Sequence, residues 1–129
     1  MTSASRFKTK IFVFYWLPVV VYCGLIFIQS SYPATQSLPR FPHADKLAHA
    51  GAYALLGFLF FRAFQTTSIQ KGVVLLVTLS AMASSVYGIS DEIHQYFVPS
   101  RTASMADALA DILGSVAGAL GAPIILNRS

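Results

Sequence analysis

Four stretches of this chain, residues 11–28, 47–64, 73–89 and 106–126, are almost unbroken runs of apolar side chains. The hydrocarbon core of a bilayer takes about 20 such residues per helix. The pattern therefore predicts an all-α protein, an integral membrane bundle of four transmembrane helices. The polar positions gather between the runs. Segment 29–44 holds Pro33, Pro39 and Pro42 with no sustained periodicity, so an irregular surface segment is expected there. The link 65–71 is short and polar, as between antiparallel neighbours. The second and fourth runs carry Gly51, Gly57, Gly114, Gly118 and Gly121. A soluble helix penalises glycine, whereas a membrane helix uses it for close packing. Gly114 and Gly118 form a GxxxG pair, read as packing inside the chain in preference to dimerisation. No linker is long enough to divide the chain, so residues 1–129 are expected to form one domain.

Composition strengthens the membrane reading. The 129 residues are 55% hydrophobic and 11% charged, with mean hydropathy +0.61, too apolar for a soluble domain of this length. The first run follows Arg6, Lys8 and Lys10 as a signal peptide would, but its apolar core exceeds the usual 7–15 residues or so. An uncleaved first helix is expected, with Tyr15, Trp16 and Tyr32 as interfacial or packing aromatics. Cys23 is alone, so it is expected to face lipid or pack. The net charge of +4 does not indicate nucleic acid, because the nine Lys and Arg residues flank apolar runs instead of forming a stripe. They are better read as orientation signals. An N-in/C-in topology puts Arg6, Lys8, Lys10, Arg62, Lys71 and Arg128 in the cytoplasm against Arg40, Lys46 and Arg101 outside, six to three.

All five carboxylates (Asp45, Asp91, Glu92, Asp107, Asp111) and all three histidines (His43, His49, His94) then fall at the outer helix ends. Charge at the edge of hydrocarbon costs a few kcal/mol per group unless paired or hydrated. Asp45 and His49 share a face at i,i+4, as do Asp107 and Asp111, while Asp91, Glu92, His94 and Gln95 occupy about two turns. Pro99 should interrupt the helix and leave Arg101 near the interface, where a guanidinium suits carboxylate or phosphate. General acid or base candidates are His49, Asp91, Glu92, His94 and Asp107, among which the sequence does not choose. Candidate ligand-binding residues are Asp45, Lys46, Gln95, Arg101 and Asp111. Carboxylate and imidazole from three helices could also hold a divalent ion, although the spacing matches no zinc signature. No cofactor fingerprint or nucleophile elbow is present. A buried network that fixes helix register is the structural alternative.

Three motifs carry a resemblance. They are Asp45-Lys46-x-x-His49, then Asp91-Glu92-x-x-Gln95-x-Phe97-x-Pro99-x-Arg101, then Asp107-x-x-x-Asp111-x-x-Gly114. In order and spacing they resemble the VanZ-like family of small membrane proteins, over residues 44–121. That family is named for a member associated with resistance to the glycopeptide teicoplanin. At Asp111 its pattern often has Asn, so a hydrogen-bonding role there is what the resemblance implies.

The resemblance implies a multi-pass protein of the bacterial cytoplasmic membrane with a link to the cell envelope, and supplies no reaction. Together with the one-sided cluster it leads to the expectation of an outer-facing polar pocket. The pocket would recognise or modify an anionic lipid or lipid-linked envelope molecule, with Arg101 and Lys46 holding the anion and membrane lipids as partners. Whether such a protein is an enzyme stays open. The alternative is a membrane scaffold or partner subunit whose cluster is structural. Ion transport would also want ionisable groups in the cytoplasmic half, and the second and third runs offer none beyond their outer ends.

Overall fold

The computed structural model describes residues 2–32, 43–68, 72–99 and 101–127. The prolines Pro33, Pro39 and Pro42 of the first link, and the basic residues Arg40, Lys71 and Arg128, lie outside the described residues. Five α-helices follow in order, α1 (Ser3–Ile11), α2 (Leu17–Ser30), α3 (Ala44–Phe64), α4 (Val73–Tyr96) and α5 (Met105–Leu126), with a π-helical turn at Phe12–Trp16 joining α1 to α2. Because α1, the π turn and α2 form one rod over Ser3–Ser30, four helical rods among the described residues are long and apolar enough to cross a membrane.

Each rod outruns its apolar stretch. The first begins at Ser3, where Thr2 caps it by accepting a hydrogen bond from the Ser5 amide at 3.3 Å, and α1 buries no side chain. The third continues past Ile89 to Tyr96 and so carries Asp91, Glu92 and Gln95 on helix, all buried. Helix continues through these polar residues because in a bilayer every backbone N–H and C=O needs an intramolecular partner. Pro99 lies beyond the end of α4, and α5 restarts at Met105 with Ser104 as its cap.

The π turn has an identifiable cause. Pro18 has no N–H to offer the carbonyl four residues back, and its ring crowds that carbonyl. The Phe14 carbonyl instead accepts from Arg62 Nη2 of α3 at 3.2 Å. The Arg62 guanidinium also sits over the Tyr15 ring, 5.1 Å from its centroid. Trp16 donates to Thr66 Oγ1 at 3.3 Å and packs edge-on against Phe64. Tyr15 and Trp16 are thus packing aromatics that seat the first rod, whereas Tyr32 is exposed. Cys23 is half-buried and packs beside the cluster of Val19, Ile26, Tyr53, Leu56 and Ala63.

Polar side chains fill much of the interior, and large apolar ones are common on the surface. Ser80, Ser84, Ser115 and Asp111 have no exposed area, while Val74, Leu113 and Met105 are largely exposed. Lipid is the solvent that makes this arrangement favourable. Ser84 and Ser115 share a 2.7 Å hydrogen bond, and Ser84 also donates to the Tyr53 carbonyl, tying α3, α4 and α5 together.

The most extensive helix contact is between α3 and α5, which run parallel with α4 antiparallel to both. Its basis is the absence of side chains. A Cβ on Gly114 would overlap the Ala50 backbone, one on Gly118 the Ala54 backbone, and one on Gly57 would stand 2.5 Å from the Ser115 carbonyl oxygen. The GxxxG pair therefore packs within the chain. Gly51 and Gly121 face open space. Gly118→Ala is expected to destabilise the bundle by about 1–3 kcal/mol through overpacking, while Gly121→Ala should be neutral or slightly stabilising. Thermal unfolding of both variants in lipid nanodiscs checks this, and equal behaviour would contradict the close-approach account.

Candidate functional site

The parallel pairing of α3 with α5 continues upward from the glycines into the polar end of the bundle. Successive contacts Ala54–Gly118, Ala50–Gly114, His49–Asp111 and Lys46–Asp107 follow one helical stripe on each partner. The i,i+4 spacings of Asp107 with Asp111, and of His49 with Tyr53, put each pair on the inner face.

Lys46 Nζ bridges two carboxylates, at 2.6 Å from Asp107 Oδ1 and 2.8 Å from the exposed Asp45 Oδ2. His49 Nδ1 lies 2.8 Å from Asp111 Oδ1, and the Asp111 side chain is wholly buried. Gly88 of α4 makes room for that carboxylate, since a Cβ there would come within 2.9 Å of Asp111 Cβ and 3.1 Å of the Tyr53 ring. Asp91 accepts from Tyr53 Oη at 3.2 Å and from Gln95 Nε2 at 3.1 Å, and Gln95 also reaches Ser30 Oγ of α2 at 3.3 Å. Glu92 Oε2 accepts from the Ser104 amide at 3.2 Å, while Ser104 Oγ accepts from the Asp107 amide at 3.0 Å. This is an N-cap that also tethers the α4 acid to the start of α5.

Arg101 Nη2 donates to the Gln29 carbonyl at 2.9 Å, closing the connection onto α2. Three buried polar atoms at this end have no hydrogen-bond partner among the described residues: Arg101 Nε, Glu92 Oε1 and Asp111 Oδ2. A cavity of about 210 Å³ opens here, lined among others by Ser30, His49, Tyr53, Asp91, Arg101 and Asp107. Beside Glu92 lies a second, mostly apolar hollow of about 440 Å³, bounded by Ile93, Phe97, Met105 and Ala108. His49, Glu92 and Asp111 each bring one potential metal-ligating atom to within 4.8 Å of the other two.

The structure brings together every candidate named from the sequence, with two qualifications. His94 turns toward α2, where its Nε2 lies 3.0 Å from Ser31 Oγ and its ring stacks on Phe27 at 4.6 Å, so it does not line the cavity. His43, in a left-handed conformation before α3, is exposed. Sequence reasoning missed Tyr53, although its position one turn after His49 marks the same face. It also missed Ser104, whose Ser-x-x-Asp spacing to Asp107 is a capping pattern. The roles of Gln29, Ser30 and Gly88 leave no local sequence mark.

A multi-pass helical membrane protein with a buried polar site at one end is thus the class that fold and site define. The VanZ/LLP1 family model matches residues 12–126, and the chain belongs to this family. The match takes in the first rod from Phe12 onward as well as the three motifs. No curated protein and no solved structure matches the chain.

Proposed function

We propose that this VanZ-family protein uses the polar cavity to recognise or modify the anionic headgroup of a membrane lipid or lipid-linked envelope molecule. The observation that carries the reading is Arg101. Its Nη2 is held by the Gln29 carbonyl, its Nε is buried with no partner among the described residues, and it lines the cavity. A partly buried guanidinium that offers an N–H into a cavity is a strong site for phosphate or carboxylate. Lys46 is already neutralised by Asp45 and Asp107, so among the described residues at this end Arg101 is the cation without a carboxylate partner. His49, Asp91 and Asp107 line the same cavity and supply proton donors or acceptors beside the bound group. The apolar hollow bounded by Ile93, Phe97 and Met105 has the character to take an acyl chain.

The second reading, a scaffold or partner subunit with a structural network, is favoured by how many polar groups here already have partners inside the chain. Native mass spectrometry of gently extracted protein separates the two. Wild type should retain a defined anionic lipid that folded Arg101→Gln and Asp91→Asn lose. Equal retention, with only stability reduced, would support the structural network.

The proposal places the cavity in the outer leaflet of a bacterial cytoplasmic membrane, following the positive-inside bias. In a Cys23→Ala background, Ala103→Cys should react with a membrane-impermeant maleimide applied to intact cells. Reaction only after lysis would invert the topology.

A further inference from the structure

We infer that His49, Glu92 and Asp111 form a binding site for a divalent first-row metal ion, Mn²⁺ or Zn²⁺ in class. Three helices contribute one ligand each, α3, α4 and α5, and the three ligating atoms lie within 4.8 Å of one another. An ion bonded at about 2.0–2.2 Å to each ligand spans pairs up to roughly 4.2 Å apart. Small side-chain rotations close the difference.

The independent observation is the state of the carboxylate oxygens. Each acid uses one oxygen for orientation, Asp111 Oδ1 toward His49 and Glu92 Oε2 toward the Ser104 amide. The other oxygen of each, Asp111 Oδ2 and Glu92 Oε1, is buried and has no partner among the described residues. Both residues are more than nine-tenths buried, at 0% and 7% exposed. Orphaned anionic oxygens in a water-poor interior are costly. A dication shared with a neutral imidazole satisfies their lone pairs and their charge together.

The surroundings fit an ion site. The groups that orient its ligands are in place, with the Ser104 amide on Glu92 and Gly88 giving Asp111 its room. One nitrogen and two carboxylate oxygens suit Mn²⁺ or Zn²⁺ and disfavour a thiolate-seeking ion such as Cu(I). Three protein ligands leave a position for water or another ligand, and His49 also lines the polar cavity.

The inference stands apart from the headgroup reading, and its test uses metal alone. Wild-type protein in nanodiscs, stripped with chelator and titrated with Mn²⁺ or Zn²⁺, should bind one ion per chain by mass spectrometry of elements, and its thermal unfolding should rise with added ion. Glu92→Gln and Asp111→Asn should weaken binding by at least the roughly tenfold that loss of a ligand-orienting group causes. His43→Gln, loss of an exposed imidazole outside the trio, should bind as wild type. Absence of stoichiometric binding, or equal weakening by all three substitutions, overturns the site. Should a variant fail to fold, the wild-type titration decides, since unfolding insensitive to either ion also overturns it.

Discussion

The backbone contact between α3 and α5 is the constraint on which the rest of this structure depends. Gly57, Gly114 and Gly118 let two parallel helices approach until Cβ atoms would collide with the opposite main chain. In a bilayer no hydrophobic force presses helices together, so close van der Waals contact and interhelical hydrogen bonds must do it. The contact sets axial register as well as distance. With Ala50 seated on Gly114, His49 meets Asp111 and Lys46 meets Asp107 one turn further on. A helix slid by one residue would turn each acid away from its partner.

From that pair outward, each element adds one constraint. Helix α4 joins through Ser84, Ser115 and the gap left by Gly88, and brings Asp91 and Glu92 beside the α3–α5 seam. The first rod packs least tightly and is fastened at both ends. Arg62 takes the carbonyl that Pro18 leaves over, and at the other end Gln95 and Arg101 reach Ser30 and Gln29. The polar end is therefore a place where all four rods meet, and many of its ion pairs and hydrogen bonds also join one helix to another.

Much of this was legible in the sequence, for definite physical reasons. Bilayer thickness makes spanning runs conspicuous, and the four expected rods are present. The i,i+4 logic found Asp107 with Asp111, and the GxxxG pair was rightly read as internal. What stayed hidden depended on tertiary placement. The rods extend through their polar ends because inward-facing charges find partners on other helices, which no single run reveals. The carbonyl capped by Arg62 is 48 residues away in sequence, and Gly88 has a function only because Asp111 lies against it. His94 shares a segment with Asp91 but points to another helix, a distinction set by rotation about α4 that spacing of three leaves undetermined.

The proposed headgroup recognition turns on whether Arg101 meets an anion that the protein does not itself provide. The most direct measurement is an experimental structure in nanodiscs containing an anionic lipid, at a resolution that shows headgroups. The account predicts a headgroup phosphate or carboxylate in the cavity within hydrogen-bond distance of Arg101 Nε. A cavity holding only water, with Nε paired to the protein's own carbonyls or carboxylates, would contradict it.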